Sequence, residues 1–312
     1  MAMEIRGTGA DFGKVVTDGL ASEWMKMNDT YQLAGQTVRR IGFGAMQLPG
    51  PGVLGPPKDR DEALRVLRRS IELGVNHIDT AQFYGPDVAN DLIREALHPY
   101  SSELALVSKV GARRSAQGDW LPAQTPAELR SDVEENLRSL RIDQLTVVNL
   151  RRHEVEGEAN VPLEDQLAEM IALRDEGKIA GIGLSTITLE QLETALAVTE
   201  VACVQNAFSL VDQRDTPVLE RCLSEGIAYV PYFPLGSAFP HFPKVVDQPA
   251  VRVVGERRGI SPAQVGLAWL LGKAENVLLI PGTSSLGHLE ENMAAAKVEL
   301  TDEDQAELAK IS

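Results

Sequence analysis

Along most of this chain, short apolar runs alternate with longer segments whose apolar residues recur every three or four positions. The short runs read as strands buried on both faces: 41–45, 75–79, 104–109, 145–151, 179–184, 201–205, 227–232 and 277–280. The longer segments read as helices with one apolar face: 61–73, 88–97, 126–140, 163–176, 189–198, 216–224, 262–271, 286–296 and 302–311. Local punctuation agrees with this parsing. Thr125-Pro126-Ala127-Glu128 and Ser261-Pro262-Ala263-Gln264 each supply an N-cap hydroxyl, a proline at the first helical position, and Glu or Gln at the third. Gly74, Gly177 and Gly226 stand where a helix gives way to a strand.

Eight such strand–helix units predict an α/β fold, a closed (β/α)8 TIM barrel forming a single domain over residues 31–312. A doubly wound open sheet is the competing architecture. The barrel is favoured because there are eight strands, no GxGxxG follows the first, and polar residues recur at many strand ends. Residues 33–40 suit part of a hairpin that plugs the barrel bottom. Residues 1–30 form an N-terminal extension without the apolar core of a secretory signal.

Composition narrows the partners. The chain has 312 residues and a formal net charge of -15, so it should repel nucleic acid and anionic membrane. No apolar run is long enough to cross a bilayer, so a soluble protein acting on a small molecule is expected. The two cysteines, Cys203 and Cys222, form no CxxC or Cys/His cluster, so no metal site is expected. They read as small buried hydrophobes in a reducing, cytoplasmic setting.

In a (β/α)8 barrel, chemistry gathers at the C-terminal ends of the strands. Asp79 ends the second strand, Tyr84 follows five residues later, Lys109 ends the third and Arg151 the fourth. Any one of these alone reads as a cap, a packed aromatic or a solvated cation. Together at one rim they suit proton donation to a carbonyl that receives a hydride. A phenol is a poor acid at neutral pH, and a cation within about 4–6 Å favours its ionised form. Lys109 is placed to be that cation, with Asp79 to hold it, and Tyr84 to give up the proton. Arg151 shares strand parity with Val147 and Asn149 and so points into the mouth. Two readings stand for it: a donor to the carbonyl oxygen, or a rim residue paired with an acid such as Glu154. His153 reads as a loop histidine. Phe83, Arg113 and Trp120 are candidates for the pocket wall, with surface packing as the alternative.

These residues resemble the aldo-keto reductases, over roughly residues 31–311. GVNHIDTAQFYG (74–85) is similar to that family's GxxxxDTAxxYG signature, and implies that Asp79, Tyr84 and Lys109 belong to a catalytic tetrad. The family's fourth member is normally His, and here Arg151 stands in VVNLR at that place. GFGAMQLPGPGVLGPP (42–57), HPYSSELALVSKVGARR (98–114), VVNLR (147–151) and IPGTSSLGHLEENMAA (280–295) resemble the bacterial pyridoxal reductases of the family. The resemblance implies NADPH as cofactor and reduction of pyridoxal to pyridoxine, a step of vitamin B6 metabolism. It also implies a clamp. Gly44, Ala45 and Met46 lie beside the cofactor, Ser185 and Gln205 bind the carboxamide, and Tyr232 lies under the nicotinamide. Phe233, Pro234, Leu235 and Ser237 follow the pyrophosphate. Ile280, Gly282, Thr283 and Ser284 lead to the 2′-phosphate, with His288, Glu291 and Asn292 around the adenine. Read without the resemblance, the last stretch is a capped helix start, whose amides and hydroxyls also suit a phosphate.

Two other functions stay open: reduction of another aldehyde or ketone, such as a specialised-metabolite intermediate, and a cofactor-binding regulatory subunit without turnover. The oligomeric state is not legible.

Overall fold

The computed structural model describes residues 29–115, 117–153, 160–236 and 243–311. The predicted extension therefore lies, except for its last two residues, outside the described residues. The chain enters as an antiparallel hairpin, β1 (Thr30–Leu33) and β2 (Gln36–Arg39). There follow β3 (Phe43–Gly44), α1 (Arg60–Glu72), β4 (His77–Asp79), α2 (Val88–Leu97) and β5 (Ala105–Val110). A second hairpin, β6 (Ala112–Arg114) and β7 (Trp120–Pro122), precedes α3 (Pro126–Leu140) and β8 (Leu145–Arg151). Next come α4 (Leu163–Asp175), β9 (Ile179–Ser185), α5 (Leu189–Leu196), β10 (Cys203–Gln205), α6 (Thr216–Glu225) and β11 (Ala228–Tyr229). The chain finishes with α7 (Pro249–Arg258), α8 (Pro262–Lys273), α9 (Leu286–Ala294) and α10 (Asp302–Leu308).

The seven parallel strands lie in the order β11-β10-β9-β8-β5-β4-β3. Residues 277–279 close the ring. Val277 bridges to Tyr229 of β11 and Leu279 bridges to Ile41, just ahead of β3. The backbone bonds Leu278 N–H to Tyr229 O at 2.9 Å and Leu279 N–H to Arg40 O at 2.7 Å seal both sides. The eighth predicted strand is thus present as two bridges rather than a regular ladder, and the closed barrel stands over the open sheet.

Strand periodicity turns alternate residues inward. Ala105, Val107, Val147, Cys203, Ala228, Val230 and Leu278 form one buried cluster inside the ring, and Leu33 and Val38 of the first hairpin pack onto it. Ala34 sits close enough to Gly181, early in β9, that a Cβ there would lie 2.8 Å from its own. The hairpin therefore stops the end at which the strands begin, as the sequence suggested for 33–40. Between barrel and helices lies the larger apolar layer, with Phe43, Leu67, Leu92, Leu129, Leu167 and Leu267 fully buried.

Capping follows the sequence signals. Thr125 and Ser261 both form complete capping boxes with Glu128 and Gln264, and Gly226 closes α6 in the left-handed region at φ 68°. Two elements had no counterpart in the sequence reading. One is α7, whose Pro249 start and Gly259 end are ordinary cues around few apolar residues. The other is the β6–β7 hairpin, too short for strand periodicity to show.

Candidate active site

The site is built at the end of the barrel opposite the hairpin plug. Register places Asp79 beside Val107, two residues before Lys109, so both side chains rise from neighbouring strands at the rim. Lys109 Nζ donates to Asp79 Oδ1 in a very short contact, and to the Thr80 carbonyl at 3.2 Å. Gln205, on the far side of the ring, donates through Nε2 to Asp79 Oδ2 at 2.6 Å. Lys109 Nζ also lies 5.2 Å from the centre of the Tyr84 ring. All three reacting candidates are nearly sealed: Asp79 is 3% exposed, Tyr84 5% and Lys109 6%.

Burial decides the protonation states. It opposes the Lys109 ammonium as the largest single influence, but Asp79 and Tyr84 together outweigh it and leave the pKa raised, so Lys109 is charged at neutral pH. Tyr84 is pushed up first by burial; Lys109 and Arg151 pull it down and Asp79 pushes it up, and the net shift is upward. This corrects the sequence expectation. The cation acts in the anticipated direction, yet the enclosing protein wins and holds the phenol firmly in its proton-bearing form.

Arg151 ends β8 directly opposite Ser185 of β9. Its guanidinium lies 5.5 Å from the Trp120 ring centre. That places it in the mouth, while the alternative partner Glu154 lies outside the described residues. Trp120 stands edge-on to Phe83 at 5.5 Å, and Phe83 edge-on to Tyr84 at 5.3 Å, so the three rings form one wall. Arg113 does not join it: its guanidinium is drawn to Asp132 of α3 at 2.8 and 2.9 Å. Its neighbour Arg114 takes that place, 4.2 Å from the Trp120 ring, with Nη2 donating to the Gly52 carbonyl at 3.0 Å. Sequence reasoning passed over Arg114 because its pairing with Trp120 depends on the hairpin register.

Behind the rim runs a buried polar network. Thr80 Oγ1 donates to Asn90 at 2.8 Å, and Asn90 donates to Asn136 at 3.0 Å. Ser108 donates to Asn136 at 2.6 Å, and Asn136 donates to Gln82 at 3.0 Å. Thr80 adjoins Asp79, Ser108 adjoins Lys109 and Gln82 is two residues from Tyr84. One pair of amides on α2 and α3 therefore steadies a chain neighbour of each reacting candidate.

The proposed clamp residues fall around the same rim. Gly44 of β3 abuts the Ile280 carbonyl, and a Cβ on Gly282 would stand 2.6 Å from the Gly44 oxygen. Ala45 is buried and Met46 half-buried beside them. Thr283 is buried and its Oγ1 accepts from Ser285 N–H at 3.1 Å, whereas Ser284, His288 and Glu291 are exposed and Asn292 is buried. α9 starts at Leu286, and its first amide faces Glu62 Oε1 at 3.4 Å. A phosphate here would thus rest on the Thr283 and Ser284 hydroxyls, not on that helical amide. Ser185 Oγ lies 3.5 Å from Thr186 Oγ1, which lies 3.4 Å from the Tyr232 hydroxyl. Gln205 Oε1 is buried without a hydrogen-bond partner among the described residues. Tyr232 meets Phe233 edge-on at 5.0 Å, and Pro234 and Leu235 continue the turn. Ser237 lies outside the described residues. Among the described residues no group of three or more His, Cys, Asp or Glu could hold a metal ion, and no helix is long and apolar enough to cross a membrane.

Comparison with known proteins adds the following. A model of the aldo/keto reductase family matches residues 40–312. Pyridoxine 4-dehydrogenase of Escherichia coli is 46% identical over 287 residues, covering 91% of this chain and 99% of its own. An uncharacterised oxidoreductase of Schizosaccharomyces pombe is 37% identical over 279 residues, covering 89% of this chain and 88% of its own. A solved aldo-keto reductase from Klebsiella pneumoniae in complex with NADPH superposes with a TM-score of 0.76 at 26% identity, covering 92% of this chain and 95% of that one.

Proposed function

Since the chain belongs to the aldo/keto reductase family and is an oxidoreductase, we propose that it reduces the aldehyde of pyridoxal to the alcohol of pyridoxine, with NADPH as reductant. The observation that carries this reading is the sealed cluster in which Tyr84 keeps its proton beside Lys109 and Asp79. The similarity to pyridoxine 4-dehydrogenase supports the substrate. The NADPH complex of the Klebsiella pneumoniae relative supports the cofactor.

The residues present fit a nicotinamide. Gln205 offers a buried carbonyl oxygen with no partner among the described residues and Ser185 a buried hydroxyl, the two groups an amide needs. The Gly44 and Gly282 backbones approach where any side chain would intrude. In this reading Ser185 and Gln205 hold the carboxamide, Tyr232 backs the ring, and Gly44, Ala45 and Met46 flank it. Phe233, Pro234, Leu235 and Ser237 follow the pyrophosphate. Ile280, Gly282, Thr283 and Ser284 lead to the 2′-phosphate, and His288, Glu291 and Asn292 surround the adenine. Bound there, the reduced cofactor supplies a hydride to the carbonyl carbon.

The chain's own residues supply the rest. Tyr84 hydrogen-bonds the carbonyl oxygen and transfers its proton as negative charge develops there. Lys109 stabilises the phenolate left behind, and Asp79, anchored by Gln205, keeps the ammonium in place. Arg151 steadies the substrate side. The barrel 31–312 is the catalytic unit. Two buried free thiols, Cys203 and Cys222, suit a reducing cytoplasm.

The test is loss of NADPH absorbance with pyridoxal. Tyr84→Phe is expected to slow turnover by about 100-fold or more, as for loss of a general acid, with cofactor binding retained. Full turnover by that variant would reject the assigned acid. Strong turnover of another carbonyl beside weak turnover of pyridoxal would reject the substrate.

A further inference from the structure

We propose that Arg151 makes the site selective for aromatic aldehydes that carry an acidic hydroxyl on the ring atom adjacent to the one bearing the carbonyl. This rests on the reading that the site reduces carbonyls, and goes beyond it by naming the recognition rule and the residue that enforces it.

Five observations lead there. Arg151 is at the rim, opposite Ser185, and its charge acts on the Tyr84 phenol. Of the other arginines of this region, Arg113 is paired with Asp132 and Arg152 donates to the Val161 carbonyl at 3.0 Å; Arg114 donates through Nη2 to the Gly52 carbonyl, and its Nε and Nη1 are buried without a partner among the described residues. Among the described residues Arg151 has no carboxylate partner, and its guanidinium lies 5.5 Å from the Trp120 ring centre. The Tyr84, Phe83 and Trp120 rings form a continuous aromatic wall against which a flat ring packs. The chain carries a net charge of -15, so a half-buried guanidinium without a carboxylate partner among the described residues is a specific local departure from the global field.

The chemistry then selects the substrate. Tyr84 requires the carbonyl oxygen. Arg151 presents a planar fork of donors that cannot lose its charge near neutral pH. A hydroxyl ortho to the carbonyl places a second oxygen on the same side of the ring. Ionised, that oxygen satisfies the guanidinium with a charge-assisted hydrogen bond. The pairing also has an electronic effect. A ring oxyanion feeds electron density into the neighbouring carbonyl and makes it a poorer hydride acceptor, and Arg151 draws that density back. In the step itself the carbonyl carbon would accept the hydride that a bound reduced nicotinamide would supply. The electron pair of the broken C=O π bond takes the Tyr84 proton, and the ring oxygen stays on Arg151 unchanged. A histidine here would carry its charge only below about 6.5 and lacks the planar fork of donors, so its pairing with the ring oxygen would be weaker and dependent on pH.

The experiment uses the full chain with NADPH and a matched series: benzaldehyde, 2-hydroxybenzaldehyde, 3-hydroxybenzaldehyde and 2-methoxybenzaldehyde. In the wild type, kcat/KM for the 2-hydroxy compound is expected to exceed that for the 3-hydroxy and 2-methoxy compounds by about tenfold or more, the size of one charge-assisted hydrogen bond. In Arg151→Met that ratio is expected to fall to about one, and in Arg151→Lys to be intermediate. A second readout needs no turnover. Binding of 2-hydroxybenzaldehyde to the wild type, with the oxidised cofactor present, should bring up the phenolate absorption band at a pH where the free compound is protonated. Arg151→Met should not. A wild-type ratio near one, or a ratio and band that survive in Arg151→Met, would overturn the proposal. If the variants do not fold, the wild-type series and its absorption band decide alone. Reduction of pyridoxal without ortho-hydroxyl preference would defeat this inference and leave the proposed function intact. A phenolate band without reduction of any aldehyde would do the reverse.

Discussion

At the scale of single residues, the decisive quantity is the proton on Tyr84. Reduction needs the phenol protonated, and burial has moved its pKa upward. The reductive rate is therefore expected to stay level through neutral pH and to decline only on the alkaline side of about 10, the ordinary phenol value. A pH–rate profile with saturating NADPH checks this, and a decline centred near 7 would contradict it. Lys109→Met removes the largest influence pulling that pKa down. It is expected to shift the alkaline decline further upward and to slow turnover by about 100-fold, because the acid is weaker and its phenolate unsupported. The positions of Asp79 and Lys109 near strand ends, and of Tyr84 in the loop five residues beyond one, were legible in the sequence. The second grip on Asp79 by Gln205 was not. Those residues are 126 positions apart, and only closure of the ring brings them to 2.6 Å. Arg113 and Arg114 were confused for a local reason: adjacent strand residues face opposite ways, and no alternation in three residues tells which is which.

At the scale of elements, two arrangements separate catalysis from stability. The Asn90 and Asn136 pair holds chain neighbours of all three reacting candidates, so Asn136→Ala is expected to lower kcat about tenfold, equivalent to about 1.4 kcal/mol in the barrier. The dissociation constant for NADPH should stay unchanged. Steady-state kinetics and a fluorescence titration check both, and an unchanged kcat beside a lowered melting temperature would mark Asn136 as structural only. The β1–β2 hairpin predicts the converse. Leu33, 2% exposed in the barrel's lower cluster, is expected to cost about 2–5 kcal/mol on truncation to Ala. Its kcat and KM at 25 °C should be those of the wild type, since the site is at the other end. Chemical denaturation beside kinetics tests this. The long helices were legible because their caps and apolar stripes agree. α7 escaped because Arg252, Glu256, Arg257 and Arg258 crowd a ten-residue helix and leave a thin stripe of Ala250, Val251 and Val254. The last barrel strand was legible as an apolar run, but its two short bridges could not be inferred, since they depend on where the ring's edges meet.

At the scale of the whole molecule, the barrel interior sets a pH limit on the fold. His77 projects inward beneath Asp79, against Gly42, where a Cβ would collide with its ring. Burial pushes its pKa down from 6.5 to about 4, with the Arg39 backbone a smaller opposing influence, and neither ring nitrogen makes a well-formed hydrogen bond among the described residues. The unfolded chain takes up that proton near 6.5 and the folded one only near 4, so stability from this residue is complete above 6.5 and lost as pH falls through 4. The loss amounts to about 3 kcal/mol. Asp87 and Asp132, each pushed up to about 6 chiefly by burial, act in the opposite sense, because their protonation relieves a buried charge. The His77 contribution is therefore isolated by comparison. The stability difference between the wild type and His77→Leu is expected to move against the wild type from pH 6.5 to 4, and denaturation curves across that range would show it. A constant difference would mean that a water or another partner serves the ring.

The plugged floor of the barrel has a practical corollary for handling the protein. Because the β1–β2 hairpin caps the end away from the reacting cluster, a bead, surface or fluorescent label joined through position 30, where Thr30 is exposed on that hairpin, is anchored on the blind side. An enzyme immobilised that way would face its open mouth toward the bulk liquid, and reagents would reach it without passing the support.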